Sequence, residues 1–179
     1  MAPWHVRRYP LTRLADALAE LTAAFGIVGA NVAVLARPEA RRAGRRGGRG
    51  SSAMPHKANP VRAVLLNAAA RQAPLLAAQL HQDAATVDER PDGAWHAEWQ
   101  TLRQLLRTAG GAAATGRELA EGLRVHPDAV AANLAAAGPG LLSEAARYTD
   151  SPPDDPAGYL GDAAELTARL VAATRKELA

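Results

Sequence analysis

From Gly50 to Pro60 the chain reads Gly-Ser-Ser-Ala-Met-Pro-His-Lys-Ala-Asn-Pro. Two hydroxyls (Ser51, Ser52), an imidazole (His56), an ammonium (Lys57) and an amide (Asn59) are gathered in one short run. Glycine and proline punctuate it, which disfavours both helix and strand and predicts a loop. Asn59 suits an N-cap and Pro60 a first helical turn, so a helix is expected to start there. Lys57 and the free N–H groups of a helix start attract anions, and a serine hydroxyl can move a proton. Such a set fits a carboxylate-rich ligand. An ordinary serine is a weak base, so this chemistry needs neighbouring donors that stabilise its alkoxide.

A second polar stretch follows at Glu89-Arg90 and Gly93-Ala94-Trp95-His96-Ala97-Glu98-Trp99. Arg90, His96 and Glu98 are candidates to support a site electrostatically. Glu98 serves equally well as a surface partner of Arg103. No histidine stands at a metal-ligand spacing from His96, so no metal is expected. Trp95 and Trp99, at i and i+4, are expected to pack as a core pair.

Long helices must position these residues. Leu11, Leu14, Leu18, Leu21, Phe25, Val28, Val32 and Leu35 are spaced 3, 4, 3, 4, 3, 4, 3. That heptad seam predicts one helix over 11–36, packed at a shallow angle in a bundle and self-associating through the seam. Gly26 and Gly29 weaken it locally but allow a neighbour to approach closely. Arginines and glycines crowd residues 37–50, predicting a mobile basic loop that could close over the Ser51 run. No aromatic residue is interleaved there and no nucleic-acid motif surrounds it, so no nucleic-acid partner is expected. A second helix is expected from Pro60 to Gln82, kinked at Pro74. A turn at 88–93 then leads to a third from Ala94 to Ala113 or beyond, with Trp99, Leu102, Leu106, Ala109 and Ala113 as its stripe. Shorter helices follow, one opened by Pro127 and closed by Gly138, one over 141–148 and one over 163–178, with a linker at 150–158. No strand shows convincing alternation. The fold class is therefore all-α. Residues 1–114 form a central long-helix bundle with the loop at 47–60, and 115–179 a shortened helical domain.

The 179 residues suffice for a domain with a core. There is no cysteine, which excludes disulfides, thiolate metal sites and a cysteine nucleophile. The alanine-rich composition, with only 4% aromatic residues, favours helix over sheet. No apolar run is expected to reach membrane-spanning length and no signal peptide is evident, so a cytoplasmic protein with no membrane partner is expected.

The Gly50–Pro60 run closely resembles the signature loop of the fumarase/aspartase superfamily, Gly-Ser-Ser-x-Met-Pro-x-Lys-x-Asn-Pro, at every fixed position. The Gly93–Trp99 segment, the opening Pro3-Trp4-His5, Gly122–Pro127 with Asn133-Leu134, and Asp155–Gly161 are similar to the 3-carboxy-cis,cis-muconate cycloisomerase branch. The resemblance implies the helical-bundle fold and reversible β-addition and elimination on a polycarboxylate. It implies Ser51 as the catalytic acid and base, with Lys57 and Asn59 binding substrate, His56 touching it and Ser52 organising the loop. It implies no cofactor. It further implies a homotetramer whose sites are each built from three segments of different subunits.

The chain also departs from the pattern. Arg7-Arg8-Tyr9 stands where the branch shows Gln-Arg-Asp. The family's N-terminal domain, with its histidine and anion-binding stretch, has no counterpart, which reads as a truncated copy or one completed by a separate N-terminal-domain chain. The chain alone is therefore expected to bind anionic substrate weakly and to turn over almost nothing. Two alternatives stand beside this: an adenylosuccinate-lyase-like enzyme with the same loop, and a non-catalytic helical assembly module. Trp95 and Trp99, placed where a phosphate-binding enzyme would want Arg and Ser, favour the cycloisomerase.

Overall fold

A computed structural model describes residues 6–37, 43–45, 59–143, 145–148 and 156–177. The chain separates into two compact units, Met1–Val130 and Ala131–Ala179. The all-α expectation is met. In the first unit, helices α1 (Tyr9–Leu35), α2 (Val61–Ala84) and α3 (Ala94–Gly122) pack side by side. They run up, down and up. The His81 imidazole of α2 lies 2.7 Å from Asp16 near the start of α1, and Arg62 at the start of α2 donates to Glu118 near the end of α3 at 2.6 and 2.8 Å. These partners are exposed, so each tie contributes little to stability.

The heptad periodicity locates α1 correctly but only part of the face it packs, since Val32 is buried and Leu11 and Leu18 lie against the core. The buried line is Ala15, Thr22, Gly26, Gly29 and Val32, of which only Val32 belongs to the seam. Leu14, Leu21 and Val28 remain 41–49% exposed. The cause is size: small residues let the backbones close, and the larger side chains flank the contact. A Cβ added to Gly26 would lie 2.4 Å from Ala70 Cβ, and one on Gly29 only 2.7 Å from the Ala63 carbonyl oxygen. Gly116 does the same for α3, whose backbone sits against the Phe25 ring. The stripe on α3 is displaced likewise, to Glu98, Leu105, Ala109, Ala112 and Gly116, and Trp99 stays 50% exposed. Trp95 and Trp99 therefore do not form the expected core pair. The core itself gathers Ala15, Ala73, Ala77, Leu80 and Leu105, with Leu11, Leu18, Leu76 and Leu102 against it.

Three further expectations need correction. The first concerns Asn59, whose side chain does not cap α2: Pro60 holds the cap position, and Val61 N–H donates to the Asn59 carbonyl at 2.9 Å. Helix α2 continues through Pro74 to Ala84. Next, Ala43–Arg45 (β1), inside the arginine-rich stretch, pairs antiparallel with Leu123–Val125 (β2), Gly44 opposite Arg124. Backbone pairing here needs no alternating pattern, because each strand is only three residues long. The rest of the loop over 37–54, apart from Arg37, lies outside the described residues. Finally, α1 is long and apolar enough to cross a membrane by length and composition, contrary to expectation. From Leu18 to Leu35 it carries one charge, Glu20. Its small-residue face packs on α2, as in a bundle.

The second unit takes up the end of α4 (Pro127–Ala137), which closes at Gly138 with φ 63°. A 3-10 turn, Gly138–Leu142, packs near another, Pro156–Leu160, with α5 (Ala145–Tyr148) between them in sequence and α6 (Ala163–Glu177) after. Neither α4 nor α6 buries a residue, and α6 exposes Leu166, Leu170 and Val171.

Candidate active site

Helix α2 divides the sequence-derived site residues into two groups. Asn59 is exposed just before its first turn. Arg90, His96 and Glu98 follow its last turn. A helix of 24 residues at ~1.5 Å per residue holds the two groups roughly 35 Å apart. One chain therefore does not bring Asn59 together with Arg90, His96 and Glu98. Ser51, Ser52, His56 and Lys57 lie outside the described residues.

At the far end of α2 the structure builds a polar cavity of about 150 Å³. Three elements meet there: the residues entering α1, the end of α2 with its connection to α3, and the first turns of α3. Glu98 projects inward from the second turn of α3 and is buried. Its partner is Arg8, the residue before α1, and not Arg103. Helix α1 begins at Tyr9 with Pro10 in its first turn, which fixes Arg8 at the mouth of the bundle. Both side chains of this pair are largely buried, so each charge depends on the other for its solvation. Arg90 and His96 are exposed beside the cavity, and His96 packs on Trp99 with ring centroids 4.9 Å apart. Trp95 forms part of the cavity wall.

Asp83 escaped the sequence analysis. It lies in the last turn of α2, only 6% exposed, and also lines the cavity. Gln79 Nε2 donates to its Oδ1 at 2.8 Å, while Oδ2 is buried and receives no hydrogen bond from any described residue. The only local signal was the Gln79–Asp83 spacing of i, i+4 on an apolar helix face. Arg8 was visible only as part of the altered Arg7-Arg8-Tyr9 segment. No group of acidic or histidine side chains among the described residues is arranged to hold a metal ion.

Comparison with known proteins adds three close likenesses. The chain is 49% identical over 145 residues to a nitrosuccinate lyase of Streptomyces davaonensis, covering 79% of this chain and 31% of that protein. It is 37% identical over 150 residues to a 3-carboxy-cis,cis-muconate cycloisomerase of Bradyrhizobium diazoefficiens, covering 82% of this chain and 33% of that one. Its fold is similar to the crystal structure of the 3-carboxy-cis,cis-muconate lactonizing enzyme of Pseudomonas putida, with TM-score 0.66 and 34% identity over 73% of this chain and 29% of that one. No family model matches. The chain thus spans about a third of the length of the curated relatives it matches.

Proposed function

We propose that this chain, which belongs to the fumarase/aspartase superfamily, carries the proton-transfer loop of a 3-carboxy-cis,cis-muconate cycloisomerase-like enzyme. The intact Ser51–Pro60 run, within a chain similar to such enzymes over about four-fifths of its length, carries this reading. In the direction of lactone closure, one substrate carboxylate adds across a carbon–carbon double bond. Charge builds on the neighbouring carbon and spreads into an adjacent carboxylate. Lys57 and Asn59 stabilise that doubled charge as preorganised donors, and Ser51 delivers the proton. In reverse, Ser51 removes the proton and the C–O bond breaks. Ser52 and His56 shape and contact the bound carboxylates, and Arg90 and His96 add positive charge and hydrogen bonds. Glu98 acts through Arg8.

A single chain cannot use both groups of residues in one site, because α2 separates them. The site is therefore shared between copies, Asn59 from one and Arg90 from another, in a homo-oligomer. The exposed line Leu14, Leu21 and Val28 supplies a surface for that contact. Turnover by the 179-residue chain alone is expected to be slow, because it spans a third of its relatives.

A second reading rests on the higher identity to the nitrosuccinate lyase, 49% against 37%. The same loop would then remove the proton beside one carboxylate of nitrosuccinate while the C–N bond breaks, yielding fumarate and nitrite. Both assays are spectrophotometric. Loss of 3-carboxymuconate absorbance supports the first reading, and growth of fumarate absorbance with nitrite supports the second. In either, Ser51→Ala must abolish the rate, and an unchanged rate removes Ser51 from the mechanism.

A further inference from the structure

The described residues on either side of 46–58 are both fastened to the end of α3. Before that run, Ala43–Arg45 pairs with Leu123–Val125, which follows α3 directly. After it comes Asn59 and then the first turn of α2, where Val64 N–H donates to the Pro60 carbonyl at 3.1 Å. Arg62 in that turn donates through Nε and Nη2 to Glu118 Oε2, at 2.8 and 2.6 Å. The turn is otherwise weakly built. Pro60 in the cap position offers no side-chain acceptor, and no acidic residue stands in the first turn. A helix start lacking both frays readily, and a lone arginine there is unfavourable beside the positive end of the helix dipole. Glu118 supplies the missing anion from the neighbouring helix.

We propose that Arg62 and Glu118 are positioning residues: their ion pair holds the first turn of α2, and with it Asn59, in place for a substrate carboxylate. This rests on the polycarboxylate reading of the loop. Two observations select positioning over direct binding and over bulk stability. Arg62 stands only three residues after Asn59, yet its guanidinium is turned to α3 and its charge is matched there by Glu118. The two side chains are 27% and 50% exposed, so the pair adds little to the stability of the whole bundle. A tie of that strength acts where the balance is already close, at a helix end that otherwise frays. It shifts the fraction of molecules in which Asn59 is ordered, and the apparent affinity for substrate follows that fraction. The β1–β2 pair does the same on the other side of the run.

The test uses the full 179-residue protein in a Ser51→Ala background, so that the probe, 3-carboxymuconate, is not consumed. Binding is read from the probe's own proton signals by saturation transfer, and local order from amide exchange at Val64. Arg62→Gln and Glu118→Gln each break the pair but change the net charge in opposite directions. A charge effect alone would weaken the probe in Arg62→Gln and tighten it in Glu118→Gln. Positioning predicts that both weaken it, by about two- to fivefold, the most an exposed charge pair shifts a local equilibrium. Exchange at Val64 should quicken by a similar factor in both. The reversed pair, Arg62→Glu with Glu118→Arg, should recover affinity and exchange. With Asn59→Ala already in place, Glu118→Gln should cost nothing further, which a general loosening of the fold would not reproduce. An affinity unchanged in either single variant, or tightened in Glu118→Gln, overturns the proposal. So does an equal loss in the Asn59→Ala background, or no saturable binding up to ~50 mM. Should Asn59→Ala bind no probe, the two single variants decide. Turnover that persists in Ser51→Ala refutes the reading of the loop and leaves this result standing. Ser51-dependent turnover with an affinity that neither variant moves refutes the positioning role alone.

Discussion

Replacing Gly29 by alanine tests the packing of α1 on α2 at one atom. In a helix interior the change is favourable by about 1 kcal/mol, because alanine restricts the unfolded backbone. Here the new Cβ would lie 2.7 Å from the Ala63 carbonyl oxygen, 2.9 Å from Asn67 Oδ1 and 3.0 Å from Leu66 Cβ. The Asn67 side chain can swing away. The Ala63 oxygen is backbone and the Leu66 Cβ is fixed to it, so α1 and α2 must move apart. Overpacking of this kind costs about 1–3 kcal/mol. The clash is severe, so the upper end applies, and subtracting the propensity gain leaves a loss of about 2 kcal/mol. For a chain of this size that lowers the thermal midpoint by about 4–8 °C. Gly111→Ala in α3 is the control, since nothing lies within 4 Å of its added Cβ. It should raise the midpoint by about 2 °C. Thermal unfolding followed by far-ultraviolet circular dichroism measures both. A Gly29→Ala protein as stabilised as Gly111→Ala would refute the close helix approach.

Breaking the Arg8–Glu98 pair by Arg8→Ala should destabilise the first unit by about 3–5 kcal/mol in urea unfolding, since a buried carboxylate is left alone. The double variant Arg8→Met with Glu98→Leu should recover most of that loss, and a double variant no better than the single would count against the pair. Self-association through the exposed line of α1 should show as a concentration-dependent mass in light scattering, abolished by Leu21→Lys. A monodisperse wild-type monomer at high micromolar concentration would refute it.

The architecture was legible in the sequence where a pattern repeats. The seam from Leu11 to Leu35 located α1, and Pro60, Gly93, Pro127 and Gly138 marked helix ends within a residue or two. Which face packs was legible only in part, through Leu11, Leu18 and Val32. Periodicity reports where large apolar groups lie, whereas contact between α1 and α2 is decided by where small ones allow approach, at Ala15, Gly26 and Gly29. The β1–β2 pair was missed because strands of three residues carry no pattern. The Ser51–Asn59 run stood out in the sequence because its polar residues are neighbours in the chain. The Arg8, Asp83 and Glu98 cluster did not, because it forms only when residues 90 positions apart are folded onto one end of the bundle.

The most direct test of the functional account is the rate with 3-carboxymuconate and with nitrosuccinate, compared between the wild-type chain and Ser51→Ala. Protein concentration is set high enough for self-association. The account predicts slow turnover of one of the two that disappears in Ser51→Ala, with the helical circular dichroism unchanged. Turnover that persists in Ser51→Ala would contradict it.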